Sequence, residues 1–412
     1  MPERNRSDPS GTDRAGPGHA CDDPVRRRLL QAGLPAGLLL LNVPAFAAQS
    51  SSPPPGQGAP APLPPPSART VLLSGDGEPQ SPQDLVRALE AGIGQGAEVV
   101  DRYFDGGAIG ELERGFASLL GKEDAAFIAS GTQANTLVMR VLCGEHRRAL
   151  VQHDSHLHLD ESDACAILNG IHLVPLAKGR ASPTVDEVRA AIDEAENGPY
   201  PLKIGAISLE SPVRRHDGER IPFDTLQAIS ALARAKGIGL HLDGARLLLG
   251  AGLPGFDLRA HAALFDTVYV SLYKYLGAPF GAILAGPGAT IAQVRDARHV
   301  FGGALYRAWP AAVPVLERLD GFMPAFARAR AAAEAVFAGL GQLPGLRIAR
   351  VPNESNIAFL ELPAGQEDAL RGRLLAHDIR GQRPREGRMQ LDINPTWLRR
   401  PPAEIVRAFA PG

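Results

Sequence analysis

Between residues 124 and 285 this chain alternates short apolar runs with segments of helical spacing, and the connections are too short for anything but neighbouring elements. The runs 125–129, 149–153, 173–175, 203–209, 239–243, 267–271 and 281–285 read as strands. The segments 131–143, 159–169, 184–197 and 223–236 read as helices, the third with Ser182 or Thr184 as its start signal. Such alternation builds βα units. It predicts an α/β fold with a mostly parallel sheet covered by helices on both faces. Ligands in sheets of this kind bind beyond the carboxyl ends of the strands, so the residues at those ends carry the functional information.

Past about residue 310 the character changes. A helix over 325–340, strands at 346–350 and 356–360, a helix at 367–377, a strand at 388–393 and a helix at 403–409 predict a small C-terminal α+β domain. Upstream, Arg26-Arg27-Arg28 precedes an apolar run over 32–43 and then Ala45-Phe46-Ala47. That order is a signal peptide with a twin-arginine look, and predicts a periplasmic or otherwise exported protein, a cytoplasmic one being the alternative. The run is too short to cross a bilayer comfortably, so no stable membrane insertion is expected. The predicted organisation is a signal over 1–48, a Pro/Ser-rich linker over 49–68, a large domain over 69–309 and a small domain over 310–412. Lys+Arg 43 against Asp+Glu 45 leaves a formal charge of -2, which argues against nucleic acid as a partner. Three scattered cysteines exclude a disulfide scaffold.

The first strand ends in Ser130-Gly131-Thr132-Gln133-Ala134-Asn135, where small residues open a helix and suit an anion such as phosphate. The second ends in His153-Asp154-Ser155-His156-Leu157-His158. Those histidines do not share one helical face, so no metal site is expected, and a single imidazole for stacking or proton transfer is the better reading. His241-Leu242-Asp243-Gly244-Ala245-Arg246 closes another strand with a buried carboxylate and a nearby cation. Ser271-Leu272-Tyr273-Lys274-Tyr275 follows the next, and burial there would make Lys274 a nucleophilic amine. A phosphate cradle, a stacking histidine, an Asp for a ring nitrogen and a lysine, in that order, are what pyridoxal 5'-phosphate requires.

With these motifs the chain resembles the threonine aldolase and aromatic β-eliminating lyase family from about Val71 to the C-terminus. The segments 130–135, 241–246 and 271–279 carry the likeness, and Gly121-Lys122-Glu123 adds to it. The resemblance implies a fold-type-I, aspartate aminotransferase-like large domain binding pyridoxal phosphate. Lys274 would hold the cofactor covalently, Asp243 would keep its ring nitrogen protonated, and His156 would lie over the ring. Gly131 and Thr132 would bind the phosphate. Ser74, Arg246 and Arg388 would receive the substrate carboxylate. A homodimer or homotetramer is implied, with Arg298 or Arg307 reaching across a contact.

One departure stands out. Where the family commonly has Leu-Glu-Asn-Thr-His-Asn, this chain reads Leu209-Glu210-Ser211-Pro212-Val213-Arg214-Arg215, so Val213 replaces a histidine. The expected activity is retro-aldol cleavage of a β-hydroxy, or otherwise β-substituted, small amino acid to glycine and an aldehyde. His156, or a water it orders, is the candidate base. The alternatives are β-elimination to ammonia and a keto acid, with Lys274 as base, and an exported binding protein without catalysis.

Overall fold

The computed structural model describes residues 64–93 and 98–410. The expected signal and the spacer up to residue 63 lie outside the described residues. The described strands are β1 (Val71–Leu72), β2 (Asp124–Ile128), β3 (Arg148–Gln152), β4 (His172–Leu176), β5 (Ala206–Glu210), β6 (Gly239–Asp243), β7 (Thr267–Ser271), β8 (Ala282–Gly286), β9 (Arg347–Ala349), β10 (Ile357–Glu361), β11 (Ile379–Arg380) and β12 (Arg388–Asp392).

Seven of these make the central sheet, in the order β2-β8-β7-β6-β5-β3-β4. Pairing is parallel from β7 through β6, β5 and β3 to β4, whereas β8 runs antiparallel to both β7 and β2. Both faces are covered. Along β2, Ala125 and Phe127 enter one apolar core while Ala126 and Ile128 enter the other. A strand buried on both sides needs apolar residues at every position, which is why these strands read as continuous runs rather than alternating ones.

The helices between them start and stop on local signals. Thr184 caps Val185–Asn197 with a reciprocal capping box to Glu187. Gly237, at φ 64, ends Phe223–Lys236 in the left-handed conformation that suits glycine. The helix expected over 159–169 divides into His156–Leu159 and Ala164–Asn169, because Ser162 (φ 50) and Asp163 (φ 56) turn the chain left-handed between them.

The C-terminal part holds an antiparallel sheet, β12-β10-β9. β1, near the start of the body, pairs in parallel with β11, so the segment expected within the large domain is stitched to the C-terminal part. Residue 310 falls at the start of a 32-residue helix, Trp309–Leu340, that contacts both Gly107–Leu120 and Pro402–Phe409. The sequence showed only its second half. Pro314 and Pro324 sit inside it and read as breakers. Its length is held by buried Val315, Leu319, Phe322, Phe326 and Phe337 along one side. No helix among the described residues is long and apolar enough to cross a membrane.

Candidate active site

A cavity of about 160 Å³ opens at the carboxyl edge of the sheet. It is lined by Ser130, Gly131, Thr132, His156, Asp160, Glu210, Asp243, Ala245, Arg246, Tyr269, Tyr273 and Lys274. Six residues singled out from sequence therefore meet in one place: Gly131, Thr132, His156, Asp243, Arg246 and Lys274.

One wall is the first turn of Gly131–Cys143. Ser130 caps it, its hydroxyl accepting from Gln133 N at 3.2 Å. Gly131 is required here, because a Cβ would lie 2.2 Å from the Tyr269 hydroxyl oxygen. Ser271, on the same face of β7 as Tyr269, is fully buried, and its hydroxyl bears on the Tyr269 hydroxyl. A helix N-terminus that opens on small residues at the cavity wall suits a phosphate. Gly131→Ala tests this cradle. The overpacking is worth about 1–3 kcal/mol, so cofactor affinity should weaken about 5–150-fold with the fold retained. Unchanged affinity in a fluorescence titration would show that the cradle lies elsewhere.

Asp243, the last residue of β6, is 3 % exposed. Its Oδ2 accepts from Asn135 Nδ2 at 2.9 Å and its Oδ1 from Ala245 N at 3.2 Å. Such a fixed carboxylate can pair with a ring N–H. Lys274 faces it across the cavity. Burial, and next the Arg246 guanidinium, hold its amine below the ordinary lysine range, so more of it is neutral and nucleophilic. Donors for a phosphate, an acceptor for a ring nitrogen and an activated amine all fit pyridoxal phosphate.

His156 is held twice. Its backbone N–H donates to Glu210 Oε2 at 2.6 Å, and its Nδ1 lies 2.8 Å from Glu161 Oε1. The hydrogen bond to Glu161 raises its affinity for a proton above the histidine norm. Glu210 also accepts from Arg214 N, and burial followed by the nearby Asp243 pushes its carboxyl up to about 7. Arg246 donates from Nε to Asp76 Oδ2 at 2.6 Å.

Ser74 and Arg388 are not among the residues lining the cavity. Arg388 opens β12 with its guanidinium 3.5 Å from the Phe359 ring centroid and 3.8 Å from Asp217, half exposed. The alternation of β12 turns Met389 and Leu391 into the core and Arg388 away from it. From the early segment, Asp76 pairs with Arg246 of the cavity wall. Arg298 turns inward, buried, and donates to Phe127 O. Val213 is fully buried and off the cavity wall. The polar side chain beside His156 is instead Asp160, paired with Arg215. Cys143 and Cys165 are both free and buried, their thiols pushed up to about 12 by burial.

Asn135, Glu161, Asp160 and Asp76 are the site residues that sequence reasoning left without a role. Asn135 stood at the end of a quoted motif. Nothing in Asp160-Glu161-Ser162-Asp163 distinguishes it from a solvated loop.

Comparison with known proteins agrees with this geometry. Low-specificity L-threonine aldolase 1 of Arabidopsis thaliana is 26% identical over 291 residues, covering 70% of this chain and 79% of that protein. A putative L-allo-threonine aldolase of Listeria monocytogenes superposes with a TM-score of 0.69 at 26% identity, over 83% of this chain and 96% of that one. Serine palmitoyltransferase of S. paucimobilis with bound PLP shares the fold, with a TM-score of 0.59 at 18% identity, over 82% of this chain and 87% of that one. These neighbours place the chain among fold-type-I pyridoxal phosphate enzymes, and residues 82–363, which include Lys274, Asp243 and the helix cradle, match the Beta-eliminating lyase family. The chain belongs to that family.

Proposed function

We propose that this protein is a pyridoxal phosphate-dependent carbon–carbon lyase that cleaves a β-hydroxy amino acid to glycine and an aldehyde. The observation that carries the reading is the single cavity in which Lys274, Asp243, His156 and the Gly131 helix N-terminus converge. The likeness to proteins named threonine aldolases supports the reaction class.

When bound, pyridoxal phosphate supplies an aldehyde for amines and a ring that accepts the electron pair left at Cα when the Cα–Cβ bond breaks. The chain's own groups do the rest. Lys274 holds the cofactor and releases it to the substrate amine. Asp243 keeps negative charge at the ring nitrogen, fixed by Asn135 and Ala245. Arg246, anchored through Nε by Asp76, has its other N–H groups for the substrate carboxylate. His156 has no protein partner at Nε2 among the described residues, and that atom takes the β-hydroxyl proton directly or through a water. Loss of that proton accompanies Cα–Cβ cleavage, and Cα then takes a proton to complete glycine.

Both L-threonine and L-allo-threonine are expected to react, in line with the names of the similar proteins, a low-specificity L-threonine aldolase and a putative L-allo-threonine aldolase. The check is a coupled acetaldehyde assay on each isomer, with glycine quantified in the same sample. Equal amounts of the two products support the reading, and ammonia with a keto acid overturns it.

Two further readings accompany this one. The helix Pro82–Ile93 has no buried residue and leaves Val86 and Ile93 about half exposed, which supports a homodimer or homotetramer. The Arg26–Arg28 segment supports export of a protein already loaded with cofactor, because a twin-arginine signal suits a folded cargo.

A further inference from the structure

Glu161 is 3 % exposed, and nothing in the reaction as described uses it. Its Oε1 receives two contacts, Asn135 Nδ2 at 2.8 Å and His156 Nδ1 at 2.8 Å. Its Oε2 is buried without a partner. Donor atoms of His156, Glu161 and Asp243 all lie within 4.8 Å of one another. That spacing would also suit a metal ion, but Asn135 already donates to both carboxylates, and the Lys274 and Arg246 cations share the cavity.

The orientation of each member follows from hydrogen-bond chemistry. Carboxylates only accept, so the Asn135 amide must turn its NH2 toward Glu161 and Asp243 and its Oδ1 toward His241. His241 Nε2 lies 3.1 Å from that Oδ1 and must donate, while His241 Nδ1, 2.9 Å from Thr267 Oγ1, accepts. Burial holds His241 neutral, pushing it down to about 4, which is the state this pattern needs. Thr267 and His241 thus lock Asn135, and Asn135 locks both carboxylates. At the far end, burial raises the Glu161 carboxyl while the hydrogen bonds from His156 and Asn135 pull it back down; as a carboxylate it can only accept from His156, so the His156 proton sits on Nδ1 and the Nε2 lone pair is left for the cavity.

We infer that Glu161 is a positioning residue: it fixes the tautomer of His156 and strengthens Nε2 as a base, and through Asn135 it ties that base to the Asp243 carboxylate. The arrangement has the logic of a carboxylate that orients a catalytic imidazole. The inference rests on the reading of His156 as the group that takes the hydroxyl proton. Other titratable groups facing this pair are Asp243, Glu210, Lys274, Asp160, His241 and Cys165. Asp243 raises the proton affinity of His156 and Lys274 lowers it, whereas the Glu161 hydrogen bond is the largest contribution.

The test uses holoenzyme labelled with 15N- and 13C-histidine, with His156 assigned by its loss in His156→Asn. In the unsubstituted protein, neutral His156 should carry its proton on Nδ1, and its titration midpoint should lie above the ordinary histidine value of about 6.5. A proton on Nε2, or a midpoint at or below the ordinary value, overturns the inference without any Glu161 variant. In Glu161→Gln, which keeps the shape but loses the charge, the midpoint should fall. The acidic limb of the kcat–pH profile should shift down with it. kcat at its plateau should drop at least tenfold while KM changes less than twofold. A lower melting temperature with an unshifted midpoint and pH profile means a structural role only. Failure of the function reading is a separate result, because then the unsubstituted holoenzyme itself releases no aldehyde.

Discussion

Lys274→Ala holoenzyme is expected to lose turnover altogether while still binding pyridoxal phosphate. The lysine does two jobs in this site, holding the cofactor and handing it to the substrate. Among the described residues, no other lysine lines the cavity to take over either job. The phosphate cradle and Asp243 are untouched by the change, so cofactor should remain bound without a covalent link. Lys274→Arg should be equally inactive, because a guanidinium stays protonated and cannot act as the amine. The site is built for an amine of lowered proton affinity: Lys274 is partly exposed, but its nitrogen sits in the desolvated cavity beside the Arg246 cation. The checks are steady-state turnover, borohydride reduction followed by peptide mass, and thermal melting. Residual turnover near wild type in Lys274→Ala would remove the basis for the assignment.

Asp243→Asn is the second large effect. The substitution keeps the volume of a side chain that is 3 % exposed, but removes its charge and turns a donor toward Ala245 N or Asn135 Nδ2. Removing one partner of a buried charged pair costs about 3–5 kcal/mol, which corresponds to about 10²–10³-fold or more in kcat/KM. A second consequence is separable from activity. Asp243 is the second-largest cause that raises Glu210, after burial, so in the variant the Glu210 carboxyl should fall from about 7 toward the ordinary range. Infrared difference titration of a 13C-labelled Glu sample would show that shift. A loss of less than tenfold in kcat/KM would mean that Asp243 does not serve the ring nitrogen.

What was legible in the sequence follows the physics of burial. β6 and β7 match their expected bounds residue for residue, because nearly every position in them is buried, the polar His241, Asp243, Thr267 and Ser271 included. The direction of β8 was not legible, since an antiparallel strand buried on both faces has the same pattern as a parallel one. The helix Trp309–Leu340 was seen only from 325 on, because two internal prolines carry a strong local signal that tertiary packing overrides.

The site divides in the same way. Lys274, Asp243, Arg246 and Gly131 were legible because each stands at a strand end whose position the fold dictates. Glu161 was not, because it sits in a short polar loop whose burial depends on the left-handed turn at Ser162 and Asp163. Arg388 stands off the cavity for a different reason. A motif assigned its role, while the alternation of β12 turned its side chain toward Phe359 and Asp217. Asp76 was legible only as part of a loose match, and its pairing with Arg246 joins residues 170 positions apart.

The most direct test of the central claim is the fate of the Cα hydrogen. The holoenzyme would be incubated with L-threonine in D2O, with all products followed by NMR. Retro-aldol cleavage leaves the original Cα–H in place and adds one solvent deuteron, so the prediction is glycine carrying a single deuterium, with one acetaldehyde for each. A keto acid and ammonia in place of these products, or no product from a fully loaded enzyme, would contradict it.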